Sequence, residues 1–127
     1  MTITYEATPT CATATATITG TNGNDVLRGT PGDDVILALS GNDVVDGLGG
    51  NDLLCGGNGN DVVNGGSGDD RIEGGNGNDV LSGALNDDAV FGGPGNDTLS
   101  GGAGTNTNDG GIGFNVCSSP RTGPGCN

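Results

Sequence analysis

The sequence predicts an all-β solenoid, a rod of short strands stacked coil on coil, and three observations predict it. Residues 20–118 divide into eleven consecutive nine-residue units without an insertion or deletion. Glycine dominates the first and fourth places of the unit, and aspartate holds the sixth in nine successive units. One large aliphatic residue recurs two places later, at the eighth. A short fixed period of this kind marks a repeat architecture, in which each unit buries its apolar side only against its neighbours.

The elements follow in chain order. Residues 1–19 carry Thr13-Ala14-Thr15-Ala16-Thr17-Ile18, an alternating β-like run that should lead into or cover the first coil as a cap. The repeat then opens with GTNGNDVLR at Gly20, GTPGDDVIL at Gly29 and ALSGNDVVD at Ala38. In each unit the first six residues, rich in glycine, suit a tight turn that reaches positive φ. The last three, such as Val26-Leu27-Arg28, suit a short strand. Strand alternation sends the eighth side chain inward: Leu27, Ile36, Val45, Leu54, Val63, Ile72, Leu81, Val90 and Leu99. Asn86 stands where the fourth glycine is usual, and asparagine tolerates the left-handed region. Two degenerate units, GGAGTNTND and GGIGFNVCS, end the array with Asn106 and Asn115 in the aspartate place. Residues 119–127, with Pro120 and Pro124, read as a loop or cap.

Composition narrows the chemistry. The chain has 127 residues, 29 of them glycine, a net charge of −13 and only 2% aromatic residues, too little for a conventional core. Without the repeat, such numbers would indicate disorder. Histidine is absent, which removes His-based triads and His-ligated zinc or haem. Arg28, Arg71 and Arg121 are the only cationic side chains, so no basic footprint for nucleic acid exists. No apolar run approaches the roughly 18 residues of a membrane span.

The nine aspartates of the sixth place are Asp25, Asp34, Asp43, Asp52, Asp61, Asp70, Asp79, Asp88 and Asp97. Set in GGxGxD turns two residues before an aliphatic, they make the chain resemble the RTX (repeats-in-toxin) nonapeptide family over about three quarters of its length. The resemblance implies a right-handed parallel β-roll, two units to a coil, about five and a half coils and roughly 26 Å long. Residues 18 apart would then stack, sorting the aspartates into two columns, one led by Asp25 and one by Asp34. Carboxylates about 5 Å apart repel. A calcium ion between stacked turns reverses the sign, taking carboxylate and carbonyl oxygens together. Magnesium fits less well, because it demands octahedral geometry and keeps its water.

By the same resemblance, the sixth-place carboxylates and turn carbonyls would hold the metal. The carbonyls include those of Gly23, Gly32, Gly41, Gly50, Gly57, Gly59, Gly66, Gly68, Gly75, Gly77, Gly93 and Gly95. Asn106 and Asn115 would form weaker or partial sites. Neighbouring aspartates give four sites in one column and three in the other, so about seven or eight ions. Seven carry about +14, near the charge of the chain. Asp33, Asp69 and Asp87, at the fifth place, should face solvent. Turn-forming aspartate in a flexible linker is the plainer reading, but a linker has no reason to keep an aliphatic in register.

Cys11, Cys55, Cys117 and Cys126 allow three pairings. Cys117 with Cys126 closes a short Pro/Gly loop, which leaves Cys11–Cys55 to staple the N-terminal segment to the second coil. Free thiols are the alternative, and zinc lacks a CxxC spacing. Disulfides and millimolar calcium both belong outside the cell, although Met1 is not followed by the charged and apolar regions of a signal peptide. Outward-facing columns are expected at Val26, Val44, Val62 and Val80, and at Asn24, Asn42, Asn60, Asn78 and Asn96. A monomer is expected, with lateral self-association through the valines as the alternative. The expected function is that of a secreted, non-enzymatic calcium-binding protein or module that folds on its ions. The alternatives are the RTX secretion and folding segment of a larger exported enzyme or toxin, and an ice- or surface-binding adhesin-type roll. The ice reading lacks a threonine ladder at the third place.

Overall fold

The structure, a computed structural model, describes residues 10–119 and 123–126. Residues 1–9 of the N-terminal segment, with Pro120 and Arg121 of the tail, lie outside the described residues. Twelve short strands are described, and they follow the repeat. After β1 (Ile18–Thr19) come β2 (Val26–Arg28), β3 (Val35–Leu37), β4 (Val44–Asp46), β5 (Leu53–Cys55) and β6 (Val62–Asn64). Next are β7 (Arg71–Glu73), β8 (Val80–Ser82), β9 (Ala89–Phe91), β10 (Thr98–Ser100), β11 (Thr107–Asp109) and β12 (Val116–Ser118). Each strand from β2 onward is three residues long because the unit offers only three residues between glycine-rich turns.

Successive strands go alternately to two parallel sheets, one ordered β1-β3-β5-β7-β9-β11 and the other β12-β10-β8-β6-β4-β2. The register within each sheet is 18 residues: Ile36 pairs with Leu54 and Val45 with Val63. This is a parallel β-roll of two units per coil. Between the sheets lies one file of aliphatic side chains from each: Ile36, Leu54, Ile72 and Val90 face Val45, Val63, Leu81 and Leu99, all essentially inaccessible. At about 1.5–3 kcal/mol for each fully buried side chain, this thin double file is the core.

The turns owe their shape to positive φ at the second and fourth places, as at Gly57 (84°) and Gly59 (113°). A Cβ at Gly57 would collide with the Leu39 carbonyl of the preceding coil, so stacking as well as torsion demands glycine there. Leu39, Leu48 and Ala84 hold the second place at positive φ without glycine, a strain of about 1–2 kcal/mol each. Asn86 takes φ of 74° at its fourth place, the accommodation expected of asparagine.

Chain outside the repeat packs at each end of the roll, although β2 remains the edge of its sheet. Thr17 N–H donates to the Val35 carbonyl and β1 pairs with β3, so the N-terminal run adds a strand to the first coil. Cys11–Cys55 and Cys117–Cys126 are both disulfides, the pairings preferred from the sequence. Beside the first, Glu73 Oε2 accepts from the Cys11 amide and from Arg71 Nε, each at 3.0 Å. The Arg71 guanidinium lies 4.3 Å from the Phe91 ring centroid. At the far end the tail folds back, with Gly110 N–H donating to the Pro124 carbonyl. The valine column at the seventh place is exposed as expected, but Leu53, at the same place in β5, is buried.

Candidate metal sites

Each sixth-place residue closes its turn just before a strand, and the 18-residue register stacks these residues in two columns. The Oδ1 atoms of Asp43, Asp52, Asp61, Asp70, Asp79, Asp88 and Asp97 each accept the backbone N–H of the aspartate one coil earlier, at 2.8–2.9 Å. One carboxylate oxygen is thus committed to holding coil to coil. The other is not. Oδ2 of the same seven aspartates is buried and accepts no hydrogen bond. An orphaned buried carboxylate oxygen costs several kcal/mol unless a cation or proton meets it.

Carbonyl oxygens lie near the Oδ2 atoms of Asp52, Asp61, Asp70, Asp79 and Asp97. A Cβ placed on Gly56 would lie 2.6 Å from both Asp61 Oδ2 and the Gly74 carbonyl of the next coil. Gly47 repeats the geometry, 2.7 Å from both Asp52 Oδ2 and the Gly65 carbonyl. The first glycine therefore leaves a small space bordered by oxygen. Without a counter-charge, the folded carboxyls resist ionisation. Burial pushes Asp52, Asp61 and Asp88 up to about 6, Asp79 to about 7 and Asp70 to about 8. Repulsion from the neighbouring carboxylates, Asp52 and Asp88 in the case of Asp70, adds to desolvation, while the amide bond to Oδ1 opposes it. Burial raises Asp97 as well.

Among the described residues no three carboxylate, thiol or imidazole side chains converge. An ion at these turns would be held by a carboxylate and main-chain carbonyls, an all-oxygen set. That set suits a hard cation with flexible coordination such as calcium, and does not suit zinc.

The two ends of the columns differ from the middle. Asp25 and Asp34 have no free oxygen: each Oδ2 accepts the backbone N–H of a threonine, Thr21 or Thr30, at 2.7 Å, and each threonine Oγ1 donates to the same carboxylate. Gly23 and Gly32 do not share the positive φ of Gly41, Gly50, Gly59, Gly68, Gly77 and Gly95. At the other end, Asn106 and Asn115 reproduce the Oδ1 bond, accepting from Asp88 and Asp97 N–H at 2.8 and 2.7 Å. Their Nδ2 atoms point where the aspartates carry Oδ2. Asn106 Nδ2 donates to the Gly102 carbonyl at 3.0 Å, with those of Ala103, Gly104 and Ser119 at 3.4 Å. Asn115 Nδ2 donates to the Gly111 and Gly125 carbonyls at 3.3 and 3.0 Å.

The asparagine column expected from the sequence is a second hydrogen-bonded ladder, and sequence reasoning missed that bonding. At the fifth place, Asn24, Asn42, Asn60, Asn78 and Asn96 each accept, through Oδ1, the N–H of the residue 18 later. Asp33, Asn51, Asp69 and Asp87 do the same on the other edge. Asp33, Asp69 and Asp87 are exposed as expected, yet they also pin main chain. The regular recurrence of Asn or Asp at that place was the available signal. At the eighth place of β11, Asn108 replaces the aliphatic and is buried, its Nδ2 donating to the Ser118 carbonyl at 2.9 Å.

No curated protein matches the chain. A family model does: the RTX calcium-binding nonapeptide repeat, in four copies, with matches over residues 19–54, 56–90 and 82–117. These matches span nearly the whole stack of turns and strands described above, so the chain belongs to the RTX calcium-binding nonapeptide repeat family.

Proposed function

We propose that this chain is an exported, non-enzymatic calcium-binding module whose roll is completed by seven or eight ions held between stacked turns. The observation that carries the reading is the set of seven buried Oδ2 atoms that accept no hydrogen bond. Nine aspartates of the sixth place and the glycine-turn carbonyls are the proposed ligands, with ion binding supplying much of the folding energy. Two disulfides support an oxidising compartment, where calcium is also abundant. The aspartates of the sixth place are engaged with main chain, and no nucleophile–base pair is described beside them, which supports a structural role over a catalytic one.

Far-ultraviolet circular dichroism during calcium titration tests the reading, with chelator reversal and a magnesium control. Disordered chain without calcium and a cooperative gain of β signal with it is the expected result. A spectrum indifferent to calcium would sink the proposal.

A further inference from the structure

The four outermost turns are built differently from the seven between them. In the middle turns a buried carboxylate oxygen has no donor. In the turns of Asn106 and Asn115 the backbone is held by the same Oδ1 bond, which fixes the orientation of the amide. Its NH2 group then sits among carbonyls of its own turn and one from Ser119 or Gly125 beyond it. A cluster of carbonyl oxygens around one nitrogen is a cation-like environment, and the amide supplies the positive end of a dipole without a net charge. In the turns of Asp25 and Asp34 the solution is the reverse. The carboxylate stays, and the main chain turns the second-place N–H inward to meet it, with a threonine hydroxyl as a second donor.

We propose that the ion array is bounded by the protein itself: Thr21 and Thr30 close the first two turns, Asn106 and Asn115 close the last two, and calcium occupies only the seven turns of Asp43, Asp52, Asp61, Asp70, Asp79, Asp88 and Asp97. This rests on the calcium reading and sharpens it. It replaces the partial sites expected at Asn106 and Asn115 with ion-free closures, and it removes Asp25 and Asp34 from the ligand set. The physical logic is the same at both ends. In an outermost turn the donor that meets the oxygens belongs to the chain itself, so no cation is needed there. A neutral donor group satisfies the oxygens at hand without needing a further coil.

Native mass spectrometry of the full, disulfide-intact chain at saturating calcium counts the ions directly. Seven are expected. Asn115→Asp and Asn106→Asp, which restore a carboxylate at constant shape, should each raise the count to eight. Asp34→Asn should leave seven, whereas Asp52→Asn should leave six. A wild-type count other than seven, an unchanged count in both Asn→Asp variants, or the loss of an ion in Asp34→Asn would overturn the proposal. A wild-type chain that binds no calcium at all would instead overturn the calcium reading beneath it.

Discussion

Removing calcium at different pH values probes the orphaned carboxylates most directly. In the folded chain, burial pushes Asp61 to about 6 and Asp70 to about 8, against an ordinary value of 3.8. A carboxyl whose folded pKa is raised favours the fold in its protonated form. Its contribution is fully present below 3.8 and is lost as pH rises through the folded value. Each pKa unit is worth about 1.4 kcal/mol, so ionising Asp61 inside the calcium-free fold at pH 8 costs about 3 kcal/mol. Asp52 and Asp88, pushed to the same value, cost similar amounts. Three such penalties approach the whole stability of a small domain, about 5–15 kcal/mol. The calcium-stripped chain should therefore lack β signal at pH 8, gain it as pH falls through 8 to 6, and hold most near pH 4. Circular dichroism of resin-stripped protein across that range is the assay, with light scattering to exclude aggregation. A calcium-free signal that is flat from pH 8 to 4, or greatest at pH 8, would refute the reasoning. Calcium should correspondingly bind more weakly as pH falls, because protons compete for the same oxygens.

Three further outcomes follow from the geometry. Asp61→Ala should cost at least about 1–3 kcal/mol in calcium, because it strands the buried Asp43 N–H, whereas Asp33→Ala, on an exposed side chain, should cost under about 1 kcal/mol; equal shifts in thermal unfolding would contradict the column assignment. Ile72→Ala, in the middle of the core file, should destabilise the calcium-loaded roll by about 2–5 kcal/mol in denaturant titration, and a cost below about 1 kcal/mol would show that the thin core matters little. Replacing Cys11 and Cys55 by serine should cost about 4 kcal/mol against about 3 for Cys117 and Cys126, since the first bridge closes the longer loop; the opposite order in thermal unfolding would mean that the N-terminal staple is not set by loop closure.

The roll itself was legible because its determinants are periodic. Ile36, Val45, Leu54 and their successors recur at one place in the unit, and the structure puts all of them between the sheets. The glycines of the second and fourth places were legible for the same reason, their positive φ being a demand of each turn separately. What escaped was the side-chain hydrogen bonding between stacked units. The 18-residue stacking was expected, but that Asn42 accepts the N–H of Asn60 depends on which way the side chain lies along the rod. The difference between the first two turns and the rest was written in the sequence as threonine where glycine, leucine or alanine later stands. Its meaning lay in an inward-turned amide, and residue type alone does not report which way an amide faces. Asn106 read as a fading aspartate because one atom, oxygen or nitrogen, decides whether a turn asks for a cation or supplies a donor.

The Oδ1 bonds described above run in one direction along the rod, each coil's carboxylate gripping the main chain of the coil before it. Such a stack behaves as a one-dimensional lattice, in which a coil is stabilised only by its immediate neighbours. Damage is then graded by position. An emptied turn at the end of the stack shortens the ordered segment by one step, while the same vacancy at Asp61 or Asp70 divides it into two shorter pieces with fresh boundaries. The molecule's tolerance of change should rise towards its ends, where the threonine and asparagine closures lie, and be least at its midpoint.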